Sequence, residues 1–379
     1  MTTVGDLQSI LDRHYPTGSA QSWDRVGLVT GAVEDQIRGV LLTVDVTDEV
    51  IEQAIELDAN VIIAHHPLLL RGINAVDPGQ PKGRMITALI RQRIALITAH
   101  TNADIPSGGV ADSLASALGL TDIRPLQLVP LGPVDTLISY LPGDRVDTVI
   151  DALSAAGAGR IGLYERCAHS TAGTGTFQPL PGANPVIGAI GNQEEVAEHR
   201  IEMIFDRSRR SAVLQALFDS HPYEQPAYQV IEVAQPADSG PAAGLGRIGA
   251  IEPTTVAGFA DHVASVLPAT AGGVRVAGDP ERRISTVALQ AGAGDDLLDV
   301  ARRSGADLYL TSDLRHHPAL EAVAWQDSPA LIDVAHWAAE WTWLPRLQQE
   351  LRTQLDDPAI KITVSELRTD PWDFVAHGA

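Results

Sequence analysis

The sequence predicts an α/β fold: two similar α/β halves forming one domain, with an inserted ferredoxin-like α+β domain between them. Three observations predict it. Short, uniformly apolar strands alternate with helical segments towards both ends of the chain, a motif recurs in the two ends, and the middle changes character. In the first stretch, residues 39–46 (GVLLTVDV) form a β-branched run of buried-strand length, and residues 49–57 repeat apolar side chains at helical spacing. Residues 60–64 (NVIIA) are a strand, 86–93 a helix and 94–99 (IALITA) a strand. Continuous apolar strands separated by helices indicate a parallel sheet covered on both faces. The rhythm returns with strands at 284–289, 308–311 and 330–334 and helices at 296–303 and 338–351. Residues 54–67 (AIELDANVIIAHHP) and 300–318 (VARRSGADLYLTSDLRHHP) each run helix, strand, polar loop, His-His-Pro, which reads as an internal pseudo-repeat.

The middle follows another order. A strand at 136–141, a helix at 144–156, a Gly/Thr-rich stretch at 173–185, a strand at 200–205, a helix at 208–220 and a strand at 227–233 predict a ferredoxin-like module. Linker-like LVPLGP and AQPADSGPAAG bound it, so the expected domains are 1–129 with 244–379, and 130–243. With 379 residues the chain exceeds the roughly 250–300 at which single cores stop growing.

Composition excludes several classes. A net charge of −21 and no Lys/Arg-rich run argue against nucleic acid and anionic membranes as partners. The lone Cys167 rules out disulfides within the chain and a cysteine-based zinc site, and packing is its expected role. MTTVGDLQSILDRHYP lacks the apolar core of a signal peptide, and no run approaches the roughly 18 apolar residues of a membrane span, so a cytoplasmic protein is expected.

His65-His66-Pro67 follows the NVIIA strand. Ligands bind beyond the carboxyl ends of strands in open α/β sheets, and imidazole is the commonest metal ligand. A solvated or capping pair is the alternative reading of two histidines alone. Asp104 follows the next strand in AHTNAD, and His336 and Glu340 follow the ALIDV strand four residues apart, on one helix face. A single HxxxE on a helix is common, whereas polar sets past three strand ends point to metal. A carboxylate can also bridge two ions.

These stretches carry a resemblance. WDRVGL (23–28), AHHPLL (64–69), AHTNAD (99–104), GADLYLTSDLRHH (305–317) and DVAHWAAE (333–340) resemble the GTP cyclohydrolase 1 type 2 homologs, a dinuclear metal-binding family, over essentially the whole length. GRIGLYERC, GTGTF and HPYEQPAY resemble the insert of its long members, itself similar to small trimeric signalling modules. The resemblance implies that His65, His66, Asp104, His336 and Glu340 hold two divalent ions, and that the chain forms a homohexameric ring. Ser312, Ala335, His316 and Ala111 depart from the family pattern, which leaves the ligands intact but puts the inherited substrate in doubt.

An N/O donor set suits Zn, Fe, Mn, Co or Ni. The expected function is metal-dependent hydrolysis of a nucleotide or other phosphorylated small molecule; the alternative is a non-enzymatic, metal-dependent binding or regulatory protein. Arg71 and Arg315 are the cations expected to hold an anionic substrate, and His317 and Asp45 are the candidates for a catalytic group. Asp45 and Asp313 are expected either to orient ligand imidazoles or to cap helices. His100 reads as a strand-end residue. Gly244–Gly249 fits G-x-G-x-x-G without a following helix, so no dinucleotide site is expected, and GTGTF reads as a structural turn.

Overall fold

The computed structural model describes residues 2–129, 134–161, 164–233, 243–355 and 357–376. The chain divides into two compact units, Met1–Val129 with Ala242–Ala379, and Pro130–Pro241.

The first unit contains two mixed sheets. In one, Gly39–Thr43, Val61–Ala64 and Ala95–Thr98 run parallel, Lys361–Val364 joins them parallel to Gly39–Thr43, and Gly27–Thr30 closes the other edge antiparallel. In the other, Arg283–Ala293, Leu308–Ser312 and Ala330–Val334 are parallel. Val274–Ala277 flanks them antiparallel on one side, and Gly244–Thr255 and Thr121–Leu128 on the other. The purely parallel order expected of the apolar strands is therefore corrected: both sheets have parallel centres and antiparallel edges. The central strands are buried along their length, whereas Thr121–Leu128 is mostly exposed, and a half-solvated strand suits an antiparallel edge.

Each sheet borrows a strand from the other end of the unit. Lys361–Val364 completes the sheet of the early strands, and Thr121–Leu128 completes that of the late ones. The helix Trp343–Gln354 buries Trp343, Leu344, Leu347 and Leu351 in a core that also holds Leu7, Leu11 and Leu114. Each such side chain contributes about 1.5–3 kcal/mol by leaving water. The single helix expected over 338–351 is two helices, His336–Trp341 and Trp343–Gln354. Pro345 has no N–H to give the Trp341 carbonyl, so one helix cannot run through and a second starts, with the proline in its first turn.

The second unit is an antiparallel sheet in the order His169–Phe177, Glu194–Asp206, Val134–Leu141, Tyr228–Val233. Helices Val146–Ala155 and Arg210–Ser220 supply Val149, Leu153, Val213 and Leu217 to a core with Leu137, Ile201, Met203 and Phe205. Asp135 is fully buried and accepts from Arg207 (2.9 Å) and Arg210 (2.8 Å). GTGTF is not a turn. It is the end of the strand His169–Phe177, where Gly175 leaves room for Glu198: a Cβ there would lie 2.0 Å from Glu198 Oε2. Among the described residues, no helix is long and apolar enough to cross a membrane.

Candidate metal centre

The three sequence sets come together in the first unit. His65 and His66 follow Val61–Ala64, and Asp104 ends the short helix Thr101–Asp104 beyond Ala95–Thr98. His336 opens the helix after Ala330–Val334, and Glu340 lies one turn along it. His336 Nε2 lies 2.9 Å from Glu340 Oε1, His66 Nε2 2.9 Å from Glu340 Oε2, and His65 Nε2 3.4 Å from Glu340 Oε1. Asp104 Oδ1 is 3.9 Å from His65 Nε2. Glu340 thus stands at the middle of the cluster.

The outer nitrogens are all held. His65 Nδ1 lies 2.8 Å from the Ala99 carbonyl, His66 Nδ1 2.7 Å from Asp45 Oδ1 and His336 Nδ1 2.7 Å from Asp313 Oδ2. A carbonyl or carboxylate accepting from Nδ1–H leaves Nε2 as the free donor atom pointing inward. Asp45 is itself fixed by the Thr369 hydroxyl, which donates to Oδ2 at 2.6 Å.

Electrostatics and satisfaction test whether these residues fit a metal ion. Burial favours neutral imidazoles, yet Glu340 and the outer carboxylates overcome it, pushing His66 up to about 10 and His336 up to about 11. Burial likewise raises Glu340, but the three histidines outweigh it and hold its carboxyl well below the usual range. Burial, with repulsion from Glu340, raises Asp104. His65 Nε2 and Asp104 Oδ1 are buried without hydrogen-bond partners among the described residues. Such atoms are costly unless something else pairs with them. An N/O set of neutral-capable imidazoles and carboxylates with converging unpartnered atoms fits divalent cations. His66, His336 and Glu340 place their ligand atoms within 4.8 Å of one another, so this group could hold a metal ion.

A second such group is His65, His66 and His100. His100 is more than the strand-end residue expected of it. Its Nδ1 lies 2.8 Å from Asp24 Oδ1, and Trp23 stands edge-on to its ring at 5.8 Å. Asp24 Oδ2 also accepts from Thr101 N (3.0 Å) and Thr101 Oγ1 (2.5 Å), and although burial opposes it, these partners hold its carboxyl well below the usual range. The WD of WDRVGL is thereby explained, and it was the signal that could have marked His100.

Sequence reasoning also missed Gly292, at the end of Arg283–Ala293. Its φ is +77°, and a Cβ there would lie 2.5 Å from Glu340 Oε1 and 3.2 Å from His336 Nε2. The remaining expected site residues stand apart. Arg71 is exposed, the Arg315 guanidinium pairs with Asp295, and exposed His317 meets the His316 ring edge-on at 5.1 Å; among the described residues, no hydrogen bond or ion pair joins any of the three to the cluster. Gly244–Gly249 lies within the strand Gly244–Thr255, where Gly244 and Gly249 allow close contact with the backbone of Thr121–Leu128.

Comparison with known proteins matches residues 2–371 to the family model described as Duf34/NIF3 (NGG1p interacting factor 3). The chain is 43% identical over 376 residues to a Mycobacterium leprae protein called GTP cyclohydrolase 1 type 2 homolog, covering 99% of this chain and 96% of that one. It is 37% identical over 370 residues to the Bacillus subtilis protein so called, covering 97% of each. The solved structure of a Bacillus cereus protein related to NIF3 aligns with a TM-score of 0.74 at 35% identity, covering 98% of this chain and 99% of the other.

Proposed function

The chain belongs to the Duf34/NIF3 family, and on that premise we propose that it is a dinuclear divalent-metal protein that hydrolyses a nucleotide or another phosphorylated small molecule. One observation carries the reading: the inward nitrogens of His65, His66 and His336 converge on the two oxygens of buried Glu340, with Asp104 alongside. These five residues would hold the ions. Bound there, the ions would supply an activated water and stabilise charge developing on a phosphoryl or carbonyl oxygen.

The chain's own groups have assignable tasks. Asp45, Asp313 and the Ala99 carbonyl keep His66, His336 and His65 turned with Nε2 inward. Asp45 is committed to His66 and Thr369, so it acts as a positioning group in this reading rather than as a base. Arg71 and Arg315 would hold an anionic substrate, and Arg315 would first exchange Asp295 for it. The relatives' name supports a nucleotide as substrate, and N/O ligation supports Zn, Fe, Mn, Co or Ni. Assembly into a closed homohexameric ring belongs to the same proposal.

The test is a turnover screen of metal-reconstituted protein over nucleotides, phosphoesters and amides, alongside elemental analysis. Activity lost in His65→Ala and Asp104→Ala, with close to two ions per chain in the parent, is expected. Silence across the panel with both ions in place would replace the enzyme with a metal-dependent binding protein.

A further inference from the structure

We propose, resting on the phosphoryl reading above, that His100 is a further substrate contact of the metal centre and hydrogen-bonds the phosphoryl group itself. The residue is fixed in the site from two directions. Its backbone N–H donates to Asn102 Oδ1 at 2.9 Å, and Asn102 Nδ2 donates in turn to the Tyr15 carbonyl at 2.7 Å. Its Nδ1 lies 2.8 Å from Asp24 Oδ1, and the Asp24 side chain is fully buried. Both Asp24 oxygens are in full use: Oδ1 also accepts from Arg25 N at 2.7 Å, and Oδ2 accepts twice from Thr101. Such a carboxylate keeps Nδ1–H turned outward and leaves Nε2 as the atom His100 has to offer.

Three observations give Nε2 a ligand to meet. The rings of His65 and His66 stand edge-on to that of His100 at 5.2 and 5.5 Å, and the three residues place ligand atoms within 4.8 Å of one another. Yet among the described residues His100 forms no ion pair with Glu340 or Asp104, the carboxylates around which the other imidazoles gather. Nε2 also has no hydrogen-bond partner among the described residues, although the side chain is only 15% exposed. His100 thus faces the centre without joining the five proposed ligands, and a nearly enclosed polar atom is stable there when something pairs with it.

The donor chemistry selects a phosphoryl group. An imidazole nitrogen donates or accepts according to its tautomer. A phosphate or phosphate monoester carries accepting oxygens and, as a monoanion, an O–H as well, so it pairs with Nε2 in either case. An ionised carboxylate offers acceptors only and would leave one tautomer unmet. Arg71 and Arg315 stand away from the cluster, whereas His100 supplies its hydrogen bond at the cluster itself.

The probe is inorganic phosphate, titrated by calorimetry into the full-length, zinc-loaded protein after free zinc is removed. His100→Asn keeps an amide N–H for Asp24 and empties the Nε2 position, whereas His100→Gln puts an amide at that position. Saturable phosphate binding to the parent is expected. It should weaken about tenfold in His100→Asn, the scale of one hydrogen bond to a charged group, and stay within about threefold in His100→Gln. Zinc content and melting temperature should be kept in both. Should His100→Asn fail to fold, His100→Leu takes its place. Parental affinity in a folded, zinc-replete His100→Asn variant, or equal weakening in both variants, would overturn the contact and leave the proposed function standing. Zinc lost together with phosphate binding would overturn it too, by making His100 a ligand of the ions. No phosphate binding to the zinc-loaded parent would overturn both the contact and the phosphoryl reading.

Discussion

Gly292 shows how one missing side chain shapes the metal cluster. Its left-handed backbone costs an L-residue about 1–2 kcal/mol, and a methyl group would press on the oxygen of Glu340 that faces His336 and His65. Gly292→Ala should therefore lower metal content in elemental analysis while costing only about 1–2 kcal/mol of folding stability in denaturant titration. Full occupancy in that variant would mean Glu340 relaxes freely. Protonation follows from the same cluster. His66 and His336 are raised in the metal-free protein, to about 10 and about 11, so at neutral pH both carry protons that an ion must displace. Metal uptake should release protons, and apparent affinity should rise with pH, as read by calorimetry in buffers of different ionisation enthalpy. The stability sign runs the other way without metal. A raised folded pKa gives stabilisation present below about 6.5 and lost as pH rises through 10–11. The metal-stripped protein should lose melting temperature from pH 7 to 10, and a flat profile would show that the imidazoles are not charged.

Among the elements, Arg247 on the strand Gly244–Thr255 ties that strand to the loop after Asp104. Its guanidinium is 1% exposed, is bidentate to Asp112 (2.8 and 2.9 Å), and donates to the carbonyls of Gly244, Gly246 and Pro106. Removing one partner of such a pair strands the other, at about 3–5 kcal/mol. Arg247→Ala should lose that much stability in chemical denaturation and should lower metal content through the Asp104 loop. Loss of stability with metal content unchanged would show that Asp104 is positioned without this tie. His100 is held by the same kind of long-range tie, through Asp24 from near the N-terminus. Neither tie is visible from strand periodicity, because both join residues far apart in sequence.

For the whole molecule, all five proposed ligands belong to one unit and none to the other. Deleting residues 130–241 with a short Gly/Ser join should leave metal binding intact in elemental analysis, and loss of both metal and folded structure would show that the metal-binding unit cannot fold without the insert. The proposed ring predicts a hexameric mass in light scattering at micromolar concentration, and a monomer there would remove it.

Local chemistry made much of this protein legible in advance. Apolar runs of strand length, the His-His pair after one of them and the four-residue spacing of His336 and Glu340 follow from backbone periodicity, which a chain carries wherever it folds. The separate helices at Pro345 follow from equally local chemistry, the missing N–H of the proline. Tertiary structure alone decided the rest. Which strands share a sheet, including the exchange of Lys361–Val364 and Thr121–Leu128, depends on pairings across hundreds of residues. Whether His100 is a bystander depends on Asp24 reaching it, and whether Gly173 to Phe177 is a turn or a strand depends on Glu194–Asp206 lying beside it. Threonine favours a strand but the interleaved glycines leave the backbone free to turn, so the partner strand makes the choice.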